Sequence, residues 1–383
     1  MKALARISTA LVMIIMTAFS QTVVGQSIAQ KRALRMELGM NLTYLDNFWL
    51  GSKDKNFSDF VKASEVEKRK KMVRDIALAG FRTIRIPVTF GAWASLTKPF
   101  KWENPQGQET ADLFVKWAKE NDLNAIIDLH HSEYDGSIKG SATTERLVWL
   151  WSEIASRYKN TDPERVFFEI RNEPHDLDAR QWRAQAEEII KAIRKIAPDH
   201  TLIVGFHDWN SRTAMLESKP FQDPNIIYTF HYYDPFLFTH QGATWSSEGL
   251  AETRNIPFPA NKDQKLMVPA AAKGKWTGQL FESYSEDANA DRMFRDLKEA
   301  KDWSDKYKVP IFLGEFGSYG KYAPQDSRCR HAEAAYSALG KLRIPNAWWE
   351  WNAGFNMLKP GTGEISDCMK KAVSIYRAAA ARK

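Results

Sequence analysis

The chain has 383 residues and carries 54 Lys plus Arg against 47 Asp plus Glu, a formal net charge of +7. Its 44% hydrophobic and 26% charged residues are typical of a globular protein and exclude disordered, collagen-like and coiled-coil proteins, while its length allows two ordinary domains or one large α/β barrel. Two cysteines, Cys329 and Cys368, are too few for a disulfide scaffold or a four-cysteine zinc site, and the sequence leaves open whether they pair.

Residues 1–25 are typical of a secretory signal peptide. Lys2 and Arg6 form a short positive region, an apolar run extends over 11–19, and small residues near Gly25 suit a cleavage site. The apolar run is shorter than the roughly 20 residues of a membrane-spanning helix, so an N-terminal membrane anchor is the less favoured alternative. We expect an exported protein, extracellular or periplasmic, with 26–383 as one mature domain.

Eight short apolar runs, rich in β-branched and aromatic residues, recur along the mature chain. Continuous runs of this kind are typical of strands that are covered on both faces, as in parallel sheets. They lie at 36–44, 83–88, 124–131, 166–174, 201–209, 226–233, 310–317 and 346–354.

Helical periodicity fills most of the intervals between these runs. Ser64 and Glu67 form a capping box that predicts the start of a helix ending at Gly80, and Asp178 can cap a second helix that stops at Pro198. Further helices are predicted at 110–120, 144–158, 288–306, 325–339 and 366–380. Eight strands alternating with helices predict a single-domain (β/α)₈ TIM barrel. A doubly wound open sheet is the alternative, because alternation alone does not show closure.

One interval, between Tyr233 and the helix beginning near Ala288, shows little periodicity over more than fifty residues. It predicts a long loop after the sixth strand. Long loops without regular structure are usually functional, and in a barrel this one would lie on the face where active sites form. A purely packing role for the loop is an equal alternative.

Polar and aromatic residues gather at the C-terminal ends of the predicted strands. A buried strand end has no structural need for so many ionisable groups, because a buried charge is costly unless it is paired. If the strands close a barrel, these ends meet at one mouth and form a candidate site. The residues are Arg85, His130, His131, Asn172, Glu173, His207, His231, Tyr233, Glu315, Trp349 and Trp351.

Two of these residues, Glu173 and Glu315, suit the cleavage of a glycosidic bond. That reaction needs one carboxyl group to protonate the leaving oxygen and a second to attack the sugar or to activate water, so the two groups must differ in pKa. Arg85 is a candidate for keeping Glu315 ionised. A single Glu is most often a solvated surface residue, but both of these lie within apolar strand ends.

The strand-end motifs together resemble glycoside hydrolase family 5, the cellulase family. The resemblance extends from Gly39 to the end of the eighth strand, over essentially the whole mature chain. The motifs that carry it are Arg171-Asn172-Glu173-Pro174, Gly314-Glu315-Phe316-Gly317, Asp128-Leu129-His130-His131, His231-Tyr232-Tyr233 and Trp348-Trp349-Glu350-Trp351.

The resemblance implies a role for each matching position. Glu173 corresponds to the acid/base and Glu315 to the nucleophile of a retaining enzyme, and Asn172 to the residue that binds the sugar 2-hydroxyl. The resemblance also implies a substrate-binding set. Arg85 and Tyr233 would hold the nucleophile, and His130, His131 and His231 would line the site. Trp349 would stack beneath the reacting sugar, with Trp351 as the alternative in register.

The implied activity is the hydrolysis of internal β-1,4-glucosidic linkages, with mannan, xyloglucan and other β-glucans as alternative substrates within the family. We expect a β-linked polysaccharide or oligosaccharide as partner, no cofactor, no membrane contact after signal cleavage, and a monomer. Sugar rings suit aromatic surfaces, so Trp49, Trp93, Trp245 and Trp276 are candidates for outer platforms, with core packing as an equal alternative for each.

Three other functions are less favoured. Four histidines, at 130, 131, 207 and 231, could ring a metal ion, but the His-Glu-x-x-His motif is absent. A non-catalytic carbohydrate-binding barrel is the second alternative, and unchanged turnover in Glu315→Ala would indicate it. The only dense basic run, 68–71, lies on an amphipathic helix beside Glu65 and Glu67, so a solvated helix face explains it better than nucleic-acid binding.

Overall fold

The computed structural model describes residues 26–46, 62–130, 139–175, 177–247, 249–261, 263 and 265–382. The predicted signal peptide, His131 and Trp49 lie outside these ranges. Within them, no helix combines the length and the apolar character needed to cross a bilayer.

Eight parallel strands form a closed barrel in chain order, because β1 pairs with β8 as well as with β2. Closure confirms the TIM barrel and rules out the open sheet. Seven of the eight regular strands are shorter than the predicted runs, and β2 has the predicted bounds. The strands are β1 (Leu38–Asn41), β2 (Thr83–Val88), β3 (Asn124–Leu129), β4 (Val166–Glu169), β5 (Leu202–Val204), β6 (Ile226–His231), β7 (Ile311–Phe316) and β8 (Asn346–Trp348).

Helices connect the strands, and the predicted ones are all present. They are α1 (Ile28–Met36), α2 (Ala63–Leu78), α3 (Gln106–Glu120), α4 (Thr144–Tyr158), α5 (Ala179–Ile196), α6 (His207–Asn210), α7 (Arg212–Glu217), α8 (Phe236–Thr239), α9 (Trp276–Asp287), α10 (Ala290–Tyr307), α11 (Gln325–Leu342) and α12 (Asp367–Ala381). Asp178 caps α5 as predicted, since its side chain accepts a hydrogen bond from the backbone N–H of Gln181.

The predicted capping box at Ser64 is wrong. Lys62 is the N-cap of α2 and its side chain makes no capping bond. The Lys62 carbonyl accepts hydrogen bonds from the backbone N–H groups of Glu65 and Val66, so the helix is already under way at Ser64.

Helix α1, which the sequence did not reveal, closes the bottom of the barrel. Its Ala29, Ala33 and Met36 are buried against inward side chains near the N-terminal ends of the strands. These are Ile126, Phe167, Ile203, Ile227, Phe312 and Ala347. A larger apolar layer lies between the strands and the surrounding helices. With the bottom sealed, the open end of the barrel is the one at which the polar strand ends lie.

The predicted loop after β6 is partly helical, since it contains α8, a 3₁₀ turn at Ala270–Ala272 and α9. The buried face of α9 includes Thr277 and Gly278 beside Phe281 and Tyr284, so its sequence lacks a clear apolar stripe. The Gln241 side chain ties the insertion together: it donates to the carbonyls of Phe238 and Ile256 and accepts from the N–H of Ile256.

Cys329 and Cys368 form a disulfide between α11 and α12, with Cα atoms 5.5 Å apart. This settles the pairing that the sequence left open. The bond links the last two helices on the outside of the barrel, across 39 residues of chain.

Candidate active site

Arg85, on β2, is the centre of the polar cluster at the mouth of the barrel and is fully buried. Its Nη1 donates to Glu315 Oε1 at 2.7 Å and to Asn41 Oδ1 at 3.0 Å, and its Nη2 donates to Asn172 Oδ1 at 2.6 Å. A planar guanidinium offers five donors in fixed directions. Arg85 therefore holds side chains from β1, β7 and the end of β4 in one arrangement.

The same guanidinium also pairs with two further carboxyl groups from neighbouring strands. Its Nε and Nη2 bind the two oxygens of Glu169 at 2.7 and 2.8 Å, and Nη2 lies 3.0 Å from Asp128 Oδ2. Asn41, Asp128 and Glu169 were not among the predicted site residues. A charged residue at an inward position of an apolar strand was the signal that could have found Asp128 and Glu169.

Glu315, at the end of β7, is buried and bound on both carboxylate oxygens. Arg85 holds Oε1, while the Tyr233 hydroxyl donates to Oε2 at 2.9 Å. His231 Nδ1 lies 3.5 Å from the same Oε2. Two donors of this kind favour the ionised form and fix the direction of the carboxylate.

Glu173 follows β4 and is more open than Glu315, with side-chain exposures of 17% and 5% respectively. Its Oε1 lies 2.7 Å from His231 Nδ1. One oxygen of each Glu and the His231 nitrogen all lie within 4.8 Å of one another. The two carboxyl groups thus face the same small space, and among the described residues the more accessible one is held by a histidine alone.

Burial raises the pKa of both groups above the usual carboxyl range, that of Glu173 to about 8 and that of Glu315 to about 7. The charge of neighbouring Arg85 opposes the rise in the pKa of Glu315. Burial lowers the pKa of His231 to about 4, so this imidazole is neutral at neutral pH. The order of the two carboxyl pKa values gives a window in which Glu315 is ionised and Glu173 keeps its proton.

His130 and Trp349 form one wall of the mouth. The His130 ring stacks on the Trp349 ring with centroids 5.7 Å apart and planes 10° from parallel, and His130 Nδ1 lies 2.7 Å from Asp128 Oδ2. Trp351 is buried and packs edge-on against Phe81. Of the two tryptophans that the motif left in competition, Trp349 is the one in the site.

The candidate sugar platforms divide by exposure. Trp93 is fully buried and packs against Phe90, so its role is structural, whereas Trp245 and Trp276 are 53% and 51% exposed. Trp209, 47% exposed, was not singled out from the sequence. Its ring stacks on His175, and its backbone lies in a left-handed turn after β5, with φ of 59°. The sequence pattern does not predict this turn.

The metal alternative needs several histidines around one point. Across the described ranges, the single group of three candidate ligands consists of Glu173, His231 and Glu315. His130 and His207 are not part of it. Both oxygens of Glu315 already accept hydrogen bonds from Arg85 and Tyr233, which suits a carboxylate in acid–base or nucleophilic chemistry better than a metal ligand.

Comparison with known proteins decides the family. The model for Cellulase (glycosyl hydrolase family 5) matches residues 46–355, most of the chain. The chain belongs to glycosyl hydrolase family 5. This family 5 member is 27% identical over 369 residues to Endoglucanase 3 of Fibrobacter succinogenes, covering 90% of the chain but only 54% of that relative, about half its length. It is 28% identical over 323 residues to Endoglucanase C of Acetivibrio thermocellus, covering 82% of the chain and 90% of the relative.

Solved structures give the same assignment for the family 5 chain. Cel5A of Thermotoga maritima in complex with cellobiose has a TM-score of 0.72 at 27% identity, covering 90% of this chain and 99% of that one. The same protein in complex with mannotriose has a TM-score of 0.71 at 27% identity, with the same coverage. The predicted family and the barrel are both confirmed.

Proposed function

We propose that this family 5 hydrolase is an endo-β-1,4-glucanase that cleaves internal linkages with retention of configuration, using Glu173 and Glu315. The observation that carries the proposal is the pair itself: two carboxyl groups facing one space, one held by Arg85 and Tyr233 and the other bound to a neutral histidine. Retaining glycosidases have carboxyl groups about 5–5.5 Å apart, and inverting ones about 6.5–9.5 Å. One oxygen of Glu173 lies within 4.8 Å of one oxygen of Glu315, which is compatible with the retaining class.

In the first step Glu315 attacks the anomeric carbon while Glu173 gives its proton to the glycosidic oxygen. The carbon–oxygen bond to the leaving sugar breaks, and a covalent glycosyl–enzyme ester forms at Glu315. Arg85 and Tyr233 aim the Glu315 carboxylate before the attack, so little reorganisation is needed at the moment of reaction.

In the second step Glu173, now ionised, takes a proton from water. The hydroxide attacks the anomeric carbon, the ester bond breaks, and Glu315 leaves as a carboxylate held again by Arg85 and Tyr233. Glu173 ends the cycle protonated. Two inversions at the anomeric carbon give net retention. Trp349 would lie under the reacting sugar and provide an apolar surface for the sugar ring.

Glucan is the favoured substrate because the curated relatives described above are named endoglucanases. A β-mannan is the second candidate, because the Thermotoga protein has been solved with mannotriose. Either polymer would place β-1,4-linked sugars across the same carboxyl pair. A non-catalytic carbohydrate-binding barrel would bind these sugars without needing Glu315.

A polysaccharide panel with three matched variants tests the proposal. We expect the wild type to shorten carboxymethyl cellulose or glucomannan chains internally, with the β-anomer appearing first by ¹H NMR. Glu315→Gln and Glu173→Gln should each reduce turnover by at least about 10³-fold, whereas Glu187→Gln, the same change on the exposed face of α5, should not. First release of the α-anomer would exclude the retaining mechanism. Near-normal turnover by Glu315→Gln would remove Glu315 as the nucleophile.

We also propose that residues 1–25 are a cleaved signal peptide and that 26–383 act as a single monomeric catalytic domain outside the cytoplasm. The disulfide between α11 and α12 supports an oxidising compartment. N-terminal sequencing of the exported protein should begin at Gln26, and light scattering should give the mass of one chain. A protein retained in the membrane with Met1 in place would contradict the cleavage.

A further inference from the structure

Glu169 is a buried carboxyl group that the proposed mechanism does not use. It is the last residue of β4, four positions before Glu173, and it is fully buried. It is paired in register with Asp128 on β3, and both point at Arg85. A charge in this position is expensive, so its presence needs a reason.

The contact between Glu169 and Arg85 is a bidentate fork. The two Glu169 oxygens occupy Nε and one hydrogen of Nη2, at 2.7 and 2.8 Å. That leaves Nη1 directed at Glu315 and Asn41. Since the guanidinium is planar and rigid, fixing one edge fixes the direction of the other.

The cluster contains more carboxyl groups than cations. Within the described part of the chain, Arg85 is the one charged base in this cluster, and it faces Asp128, Glu169 and Glu315 at 3.0 Å or less. Burial lowers the pKa of both neighbouring imidazoles, His130 and His231, so neither adds a positive charge at neutral pH. The charge of Glu169 therefore offsets much of the positive potential that Arg85 would otherwise exert on Glu173 and Glu315.

We propose that Glu169 is a positioning residue for this reaction: it directs Arg85 at the nucleophile Glu315 and, by offsetting the charge of Arg85, keeps the acid/base Glu173 protonated. The inference rests on the proposed function, because it assigns Glu173 the role of acid. It adds a third carboxyl group, absent from the motifs, to the residues that set the protonation of the pair.

The electrostatic surroundings of Glu173 agree with this role. Arg85 lowers the pKa of Glu173, while Asp128 and Glu169 raise it on top of the effect of burial. Glu169 itself faces Arg85 from β2, Asp128 from β3 and His231 from β6. Burial raises the pKa of Glu169 and Asp128 adds to the rise, while Arg85 favours its charged form.

The test separates the charge of Glu169 from its packing. Glu169→Gln removes the charge at nearly constant volume, and Glu169→Asp keeps the charge on a shorter side chain. In Glu169→Gln the midpoint of the alkaline limb of the kcat/KM profile should move to lower pH by roughly one unit. At pH values above the wild-type midpoint, kcat/KM should then be about tenfold lower than in the wild type. Glu169→Asp should keep the wild-type limb with a lower rate, and Glu187→Gln should change neither.

A second readout does not depend on turnover. In protein labelled with ¹³Cδ-glutamate, Glu173→Gln identifies the Glu173 resonance, and its titration midpoint should be lower in Glu169→Gln than in the wild type and unchanged in Glu169→Asp. An unchanged midpoint in folded Glu169→Gln overturns the inference. A midpoint displaced in Glu169→Asp also overturns it, and this variant decides alone if Glu169→Gln does not fold. If the midpoint moves as expected but the wild type hydrolyses no glycan, the proposed function falls and the electrostatic role stands.

Discussion

At the level of single residues, the two candidate catalytic carboxyl groups differ because of what holds them, not because of their residue type. Glu315 accepts hydrogen bonds from a guanidinium and a phenol, whereas Glu173 lies beside a neutral imidazole and is the more exposed of the two. Donors to an oxygen stabilise its charge, so the proton shared by a close pair belongs on Glu173. This difference in environment supports the proposed roles, with Glu315 as the attacking group and Glu173 as the proton donor.

This difference predicts a bell-shaped dependence of kcat/KM on pH. As pH falls through the raised pKa of Glu315, about 7, the nucleophile becomes protonated and activity is lost. As pH rises through that of Glu173, about 8, the acid loses its proton and activity is lost again. Both limbs should lie above the usual carboxyl range near 4. Initial rates on a soluble cello-oligosaccharide between pH 5 and 10, at substrate concentrations well below KM, measure the profile.

A substrate with an activated leaving group provides the control for this profile. A dinitrophenyl glycoside needs no proton from Glu173 for its departure, so the alkaline limb should disappear while the acidic limb stays. An alkaline limb that persists with this substrate would show that a group other than the acid/base titrates there.

At the level of secondary structure, the sequence predicted the strands and most helices because their apolar patterns are strong. It also predicted where the polar residues meet, because the C-terminal ends of parallel strands lie at the same end of the barrel. It missed α1, whose buried stripe of Ala29, Ala33 and Met36 is short and lies among three basic residues. It missed Glu169 because the strand pattern does not reveal what partner a charge inside an apolar run will have, although that charge was a usable signal. Both depend on contacts with distant parts of the chain, which periodicity does not contain.

The disulfide between α11 and α12 is an element whose contribution can be measured. Closing a loop across a separation of 39 residues restricts the unfolded chain, so replacing both Cys329 and Cys368 by Ser should lower the free energy of unfolding by about 2–4 kcal/mol. Urea unfolding followed by tryptophan fluorescence measures this, with reduced wild type as the matched control. Turnover at 25 °C should stay at the wild-type level because neither cysteine contacts the candidate site. Equal stability of the variant and the wild type would show that the bond adds no net stabilisation.

At the level of the whole molecule, the barrel separates stability from chemistry along its axis. The bottom is an apolar plug made by α1 and the inward side chains of six strands. One layer higher, the interior changes to Arg85, Asp128 and Glu169, and the carboxyl pair lies at the open rim. Active sites of this fold lie at the C-terminal face, where loops vary without disturbing the closed sheet. Substitutions at the two ends should therefore have different consequences.

Phe167→Ala at the bottom and Tyr233→Phe at the rim test this separation. Phe167 is fully buried in the plug, so its truncation should cost about 3–5 kcal/mol of unfolding free energy with little change in kcat at 25 °C. Tyr233→Phe removes one hydrogen bond to a charged oxygen, worth about 1.5–3 kcal/mol, so kcat/KM should fall roughly 10- to 150-fold with little change in stability. Chemical unfolding and steady-state kinetics on both variants measure the four quantities. A Phe167→Ala enzyme that loses activity as strongly as Tyr233→Phe while still fully folded would show that the plug and the rim are coupled.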